Sequence, residues 1–277
     1  MVSVVRSFAA GAVTARAALA WIRMDPRARE LHRTNFHGRT VTLAGGPALA
    51  AGATIGAALG ASSVPVAAAA VAAGASAGAV GFYDDIVGNR PEQKAHKGFA
   101  GHLGALREGR VTSGLVKIAG VGAAGLAASA LLGREPGARS GGVVHVLLGA
   151  GVVAGTANLM NLLDLRPGRA IKAGALIGAP LTLSRRGGVA AGTLGAAAAL
   201  LPADLDEQIM LGDAGANALG ALLGVALAQR TGPTGRAVTL AVLAGLTAAS
   251  EQISFTRVIQ DTPWLRRLDD LGRRPAA

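Results

Sequence analysis

The sequence has no cysteine in its 277 residues, which excludes disulfides and thiolate metal sites. It is also poor in aromatic residues (3%) and charged residues (16%), whereas 51% of its residues are hydrophobic and the mean hydropathy is +0.44. The apolar residues come in long blocks and not in the one-sided stripes of soluble helices. This arrangement is typical of an all-α, polytopic integral membrane protein.

The apolar blocks predict about nine transmembrane helices. They cover roughly residues 5–22, 41–60, 63–83, 113–132, 143–163, 170–184, 188–203, 213–229 and 236–254. The first block contains Arg6 and Arg16, and it is interpreted as an uncleaved span rather than a signal peptide. The abundant alanine and glycine fit close helix packing in lipid, and they fit a high-GC coding bias equally well. Because no linker interrupts the blocks, residues 1–277 are predicted to form one membrane domain.

The net charge of +11 is distributed unevenly along the chain. If the segment after the first block is cytoplasmic, most of the 27 Lys and Arg residues fall in cytoplasmic segments, including a loop at 84–112 and a tail at 255–277. Of the 16 acidic residues, only Glu135 falls in an outer segment. This positive-inside pattern predicts a multi-pass protein of the plasma (inner) membrane. The basic residues are expected to contact anionic lipid or phosphate, and no nucleic acid partner is expected.

The tail contains a short amphipathic pattern. Thr262 and Pro263 indicate a helix start. The apolar residues of one face are Trp264, Leu265, Leu268 and Leu271. This pattern predicts an interfacial helix with its arginines toward lipid headgroups. The simpler interpretation is a terminal amphipathic helix that binds no ligand.

Two adjacent acids, Asp84 and Asp85, end the third apolar block in the stretch GFYDDIVGNR. Acids often end a span, and this explanation stays open. However, Lys or Arg is the usual residue at a cytoplasmic span end, because the cytoplasmic leaflet is negative. The pair is therefore expected to need a positive partner, such as a divalent cation.

A second polar group lies at the end of the fifth block, where Asn158, Asn161 and Asp164 recur every three residues. This spacing places them within about a third of a helix circumference. They fit either interhelical hydrogen bonding or a wet cavity. The basic residues that follow, Arg166, Arg169 and Lys172, are candidate anion-binding groups beside the carboxylate.

The third group is GDAG, in which Asp213 stands at the start of an apolar block. Asp213 fits a helix N-cap without further function. It also fits a magnesium site shared with the Asp84 and Asp85 carboxylates, because Mg²⁺ takes one or two carboxylates together with substrate phosphates.

Four pieces taken in order resemble one family. GFYDD ends a span, Lys117 begins the next, N-x-x-N-x-x-D follows at 158–164, and GDAG runs into a span at 212–215. This order is similar to that of the polyprenyl-phosphate N-acetylhexosamine-1-phosphate transferases, which include the phospho-N-acetylmuramoyl-pentapeptide transferase. The resemblance extends from about RTNFHGRTVTLAGG to Asp213.

The resemblance implies a phosphoglycosyltransferase of peptidoglycan or related cell-wall biogenesis. Such an enzyme moves a sugar 1-phosphate from a nucleotide diphosphate-sugar, here UDP-linked, to polyprenyl phosphate at the cytoplasmic face, with Mg²⁺ as cofactor. By position, Asp213 would bind the metal with support from Asp85. Asp84 and Asp85 would orient or deprotonate the lipid phosphate, and the choice between covalent attack and base catalysis stays open. Substrate contacts are carried over to Lys117, Asn158, Asn161 and Asp164, and Arg166 and Arg169 are added as a diphosphate clamp.

The chain also departs from the family pattern. The family has DGLDG where this chain has DLRPG, so Pro167 stands in place of a second acid. No histidine cluster occurs in the last cytoplasmic segment, where Glu251 is found instead. A degenerate, non-catalytic paralogue that binds lipid phosphate or a partner is therefore an alternative. A transporter is a further alternative, although its ionisable residues would be expected nearer the bilayer midplane.

The remaining candidates are minor. His96 and His102 are expected to be solvated surface residues, and His145 is expected to be structural. Asn35 and Arg39 fall in the region where the family has basic residues near the donor. The sequence leaves open whether the chain forms a homodimer.

Overall fold

The computed structural model describes residues 2–88, 90, 98–135 and 142–274. The protein is a bundle of α-helices with one small β-hairpin at one end. Lys94, His96 and Lys97 of the predicted cytoplasmic loop lie outside the described residues, as does the side chain of His102.

Ten helices of ten residues or more are described, followed by two short ones. They are α1 (Val2–Met24), α2 (Gly45–Leu59), α3 (Val64–Val87), α4 (Gly98–Arg107), α5 (Ser113–Leu132), α6 (Gly142–Leu163), α7 (Arg169–Thr182), α8 (Gly188–Leu205), α9 (Gly212–Arg230), α10 (Pro233–Ser250), α11 (Phe255–Asp261) and α12 (Pro263–Asp270). Between α1 and α2, a 3₁₀ turn (Pro26–Leu31) leads into strands β1 (His32–Thr34) and β2 (Thr40–Thr42). The two strands are antiparallel, with Arg33 opposite Val41.

Each apolar block predicted from the sequence overlaps one of these helices, although the block at 41–60 begins with strand β2, and α4 lies within the segment 84–112 that was predicted as a loop. Four of them, α3, α5, α6 and α8, are long and apolar enough to cross a membrane. A fifth span results if α10 and α11 are counted together, although the chain bends by 92° between them. The all-helical membrane architecture is thus supported, whereas nine crossings stay a prediction.

Helix α9 is the centre of the bundle and packs against α2, α3, α6, α7 and α8. Its leucines Leu219, Leu222 and Leu223 are fully buried. A helix that is apolar on all sides is expected in such a central position.

Glycines allow several helices to touch backbone to backbone. A Cβ atom on Gly192 of α8 would lie 2.0 Å from the carbonyl carbon of Gly56 of α2. A Cβ atom on Gly11 of α1 would lie 2.1 Å from the carbonyl oxygen of Gly192. At this three-helix contact the small residues serve close packing, which brings α1, α2 and α8 together.

The polar segments gather at the two ends of the bundle as the alternation of spans predicts. At one end, Thr42 pairs with Ile209, and Gly168 N–H donates to Asp204 Oδ2 at 2.7 Å. At the opposite end, Ser62 Oγ donates to Glu135 Oε1 at 2.8 Å and accepts from Gln229 Nε2 at 2.8 Å. We call the first the acidic end, because Asp84, Asp85, Asp164 and Asp213 all lie there.

Candidate functional site

Two acids from different helices meet at one lysine at the acidic end. Lys117 Nζ lies 2.7 Å from Asp84 Oδ2 and 2.6 Å from Asp213 Oδ2. The hydroxyl of Ser113, one turn before Lys117 on α5, is a further hydrogen-bond partner of Asp84. The side chains of Asp84, Lys117 and Asp213 are only 13%, 19% and 24% exposed. The three residues therefore form a partly buried carboxylate–ammonium–carboxylate bridge.

The close approach of α3 to α9 places these acids. A Cβ atom on Gly81 would lie 2.3 Å from the carbonyl oxygen of Asp213, so the two backbones are in contact one turn before Asp85. Because of this contact, the carboxylates at the end of α3 reach the first turn of α9.

Asp85 anchors the N-terminus of α9. Its Oδ1 accepts the Asp213 N–H at 2.9 Å, and its Oδ2 accepts the Ala214 N–H at 3.0 Å. A carboxylate is favourable here because the first N–H groups of a helix lack intrahelical partners and carry partial positive charge. Gly212 adopts a φ of +57°, which a residue with a side chain rarely adopts.

The anchoring role of Asp85 changes the expected metal pair. The sequence predicted Asp85 and Asp213 as metal ligands, but both oxygens of Asp85 accept backbone N–H groups. The acids that meet at one cation are Asp84 and Asp213, through Lys117. Asp213 itself does not cap its helix, because Asp85 takes the N–H groups that a capping residue would bind.

Asp164 lies beside this bridge in the segment after α6. Burial raises the pKa of its carboxyl group well above the usual range, and the nearby carboxylates of Asp204, Asp213 and Asp85 raise it further. A hydrogen bond from the Gly212 N–H opposes this shift. Asp164 is therefore close enough to the acids of the bridge to be affected by their charge.

A cavity of about 330 Å³ opens beside Lys117 between α5, α6 and α10. Its polar lining consists of Lys117, Asn158, Asn161, Asn217, Thr247, Ser250 and Glu251, and its apolar lining includes Ile118, Val121 and Leu162. Asn158 donates to Thr247 Oγ1 at 3.0 Å, so it also makes the interhelical hydrogen bond that the sequence left open. The Nδ2 of Asn217 is buried and has no hydrogen-bond partner among the described residues.

A second cavity, of about 240 Å³, lies between the hairpin and the segments after α6 and α8. Asp164, Arg166, Asp204, Glu207 and Phe36 contribute to its lining. The Arg166 guanidinium carbon lies 3.8 Å from the centroid of the Phe36 ring, within cation–π distance. Asp164 and Arg166 therefore line the same cavity.

Glu207 fixes the hairpin turn that carries Phe36. Its carboxylate accepts from the side chains of Asn35 and Arg39 and is paired with His37 Nδ1 at 2.9 Å. Burial would raise the pKa of Glu207, but the hydrogen bonds of Asn35 and His37 and the charge of Arg39 lower it overall. Asn35 and Arg39 thus act on the turn through Glu207.

Arg169 has a different partner from the one proposed for it. The residue is 4% exposed, and its guanidinium binds Asp269 of α12 through Nε and Nη2, each at 2.8 Å. Arg273 also binds Asp269 and donates to the Pro167 carbonyl at 2.8 Å. Burial alone would raise the pKa of Asp269, but its bonds to Arg169 and Arg273 lower it to about 2. Arg169 therefore holds the tail, and we do not retain it as part of a diphosphate clamp.

The sequence reading missed Asn217, Asp204, Glu207 and Phe36. Asn217 is a polar residue inside an apolar block and follows Asp213 by four residues, which is about one helical turn. This spacing could have predicted that Asn217 faces the same site as Asp213. Asp204 lies in the last turn of α8 and Glu207 just after it, in a short polar stretch without any periodicity that singles them out. His145, at the opposite end, is buried as expected of a structural residue.

No protein-family model matches the chain, and no curated protein matches its sequence. Among the described residues, no group of three or more His, Asp and Glu side chains is arranged to hold a metal ion. The functional assignment therefore depends on the residues of the acidic end and their geometry.

Proposed function

We propose that the protein is a phosphoglycosyltransferase that moves a sugar 1-phosphate from a nucleotide diphosphate-sugar to a polyprenyl phosphate. In this proposal nine helices cross the plasma membrane, and the acidic end faces the cytoplasm. The observation that supports it best is the convergence of Asp84, Lys117, Asp164 and Asp213, which come from four separate segments of the chain. The pieces on which the family resemblance rests thus lie around one site.

The proposed reaction forms one bond and breaks another at the same phosphorus. An oxygen of the lipid phosphate attacks the phosphorus that carries the sugar, and the bridging P–O bond to the nucleoside monophosphate breaks. Lys117 and the cavity beside it provide a cationic group next to apolar lining, which suits a phosphate attached to a prenyl chain. The cavity with Arg166 and Phe36 offers a guanidinium and an aromatic ring, which suits a nucleotide.

The residues fit a magnesium ion at one place. Asp84 and Asp213 already direct one carboxylate oxygen each to a single cation, and two carboxylates with substrate phosphates are a usual donor set for Mg²⁺. A bound Mg²⁺ would neutralise phosphate charge and polarise a phosphoryl oxygen. Asp85 does not bind the ion in this proposal, but it fixes the first turn of α9, which carries Asp213.

A specific observation also favours the non-catalytic alternative. Lys117 forms salt bridges with both carboxylates, and salt bridges are a common structural feature in proteins. Pro167 moreover stands where the family has a second acid. A protein that binds lipid phosphate without transfer would retain the cavity beside Lys117 and lose the chemistry.

One assay distinguishes the transferase from the non-catalytic binding protein. Purified protein in detergent is given undecaprenyl phosphate, a panel of UDP-sugars and Mg²⁺, and release of UMP is followed. We expect metal-dependent release with one donor, which Asp213→Asn reduces by about 10²-fold or more. The matched control is Asp206→Asn, whose exposed carboxylate lies at the same end, and this variant is expected to retain full activity. If folded protein releases no UMP with any donor, the transferase proposal is wrong.

A further inference from the structure

The chain leaves the bundle along a new direction after α10. Helix α10 packs along the candidate span α6, where Leu240 lies against Gly151 and Leu243 against Gly155. The chain then turns by 92° into α11. The side chains of Arg257 and Asp261 on α11 are 85% and 72% exposed, and such charges are costly inside a bilayer. Helix α11 therefore lies across the direction of the spans, at the level where the spans end.

Helix α12 continues this segment and exposes apolar residues on one side. Trp264 and Leu268 are 63% and 46% exposed, and their spacing of four residues puts them on one helical face. Leu271, the first residue after the helix, is 67% exposed. Arg266 and Arg267 of the same helix are also exposed. A tryptophan with leucines beside arginines is the residue set that binds the interface of an anionic membrane.

The other side of α12 is attached to the bundle. Asp269 is 7% exposed and binds Arg169 at the first residue of α7. Lys172, one turn further along α7, donates to the Asp269 carbonyl at 2.6 Å. Arg273 joins Asp269 to the Pro167 carbonyl in the segment that carries Asp164 and Arg166.

We propose that α11 and α12 dock on the headgroup region of an anionic lipid leaflet through Trp264, Leu268, Leu271, Arg266 and Arg267, and that Asp269 ties segment 164–169 to this docked helix. The first part depends only on the exposed residues and on the turn after α10. The second makes Asp269 a positioning residue for one wall of the candidate site, and this consequence rests on the proposed function. The lipid leaflet that carries the acceptor phosphate is then the one on which α12 docks, and α12 in turn holds segment 164–169 in place.

The docking is tested by the fluorescence of one tryptophan. The chain has two, so Trp21→Phe leaves Trp264 alone, and Trp264→Phe provides the matched control. The full-length protein is placed in nanodiscs of phosphatidylglycerol with and without bromine on the acyl chains. We expect brominated lipid to quench Trp264 at least two-fold and the combined Arg266→Glu and Arg267→Glu change to remove most of this quenching. If acrylamide quenches Trp264 as strongly as free tryptophan amide and brominated lipid does not quench it, the docking surface is wrong.

The link to the site is tested by hydrogen exchange in the same nanodiscs. Asp269→Asn is expected to raise exchange of the amides of residues 164–169 at least ten-fold, while Trp264 stays quenched by brominated lipid. Asp270→Asn, which neutralises the exposed neighbouring carboxylate, is the matched control and is expected to leave this exchange unchanged. Unchanged exchange at 164–169 in folded Asp269→Asn would overturn the positioning role. No readout uses transferase activity, so failure here is distinguishable from failure of the proposed function.

Discussion

Replacing Lys117 by methionine tests the centre of the candidate site most directly. The change keeps an unbranched side chain, one atom shorter, and removes its charge. Asp84 and Asp213, whose oxygens lie 2.7 and 2.6 Å from the lysine nitrogen, then face each other without a cation. At an effective dielectric of about 20, each contact is worth roughly 6 kcal/mol before desolvation, and desolvation cancels much of that gain. We therefore expect Lys117→Met to lower the free energy of unfolding by about 3 kcal/mol.

Two rescue experiments follow from the same geometry. Asp213→Asn in the Lys117→Met background removes one of the two facing charges, so it is expected to restore most of the loss. Mg²⁺ is expected to stabilise Lys117→Met more than the native chain, because the carboxylates no longer hold an ammonium group. At a Mg²⁺ concentration about 100 times the dissociation constant, this stabilisation would reach about 2.7 kcal/mol.

The measurement is unfolding by SDS titration in mixed micelles at pH 7, with EDTA or with Mg²⁺. Arg110→Met is the matched control, because Arg110 is 64% exposed and pairs with an exposed glutamate. This control is expected to change the free energy of unfolding by less than about 0.5 kcal/mol. If Lys117→Met loses no more stability than Arg110→Met, and Mg²⁺ affects both equally, the shared cation position between Asp84 and Asp213 is refuted.

Two further predictions concern the tail and the packing. The pKa of Asp269 is about 2 in the fold and about 4 when unfolded, so its ionised form stabilises the protein by about 2 to 3 kcal/mol above pH 4, and this contribution is lost as the pH falls from 4 to 2. The difference in unfolding free energy between the native chain and Asp269→Asn should therefore narrow over this range, and a difference independent of pH would contradict the ion pair. Gly192→Ala places a methyl group against the Gly56 backbone and should cost about 1 to 3 kcal/mol, whereas Gly122→Ala, which meets no atom within 4 Å, should cost nothing. Equal effects of these two alanines in the SDS titration would show that α2 and α8 are not in backbone contact.

The helices and their two polar ends could be read from the sequence because both depend on local properties. Each apolar block must satisfy its backbone hydrogen bonds within itself in a membrane, so a long apolar run predicts a helix wherever it occurs. Acids and amides in such surroundings stand out one by one. Asp84, Asp164 and Asp213 were found in this way, Lys117 was added through the family resemblance, and the structure brings all four together.

The partner of each side chain was decided only by the tertiary structure. Asp84 and Asp85 are neighbours with the same chemistry, yet one binds Lys117 and the other binds the N–H groups of α9. Helical geometry turns consecutive side chains by about 100°, so the position of α9 beside α3 determines which acid meets which group.

The same reason explains Arg169 and Glu207. Arg169 and Asp269 are 100 residues apart, and Glu207 reaches the hairpin residue Asn35 across 172 residues. A charged residue in a polar segment can bind substrate, lipid or another segment of the chain, and no local pattern distinguishes these partners. The sequence by itself thus determined which apolar blocks form helices and that the acids gather at their ends, whereas strand β2 and helix α4 were not predicted. The packing of α9 against its neighbours and of α12 against α7 decided which of those charged groups are anchors and which line a cavity.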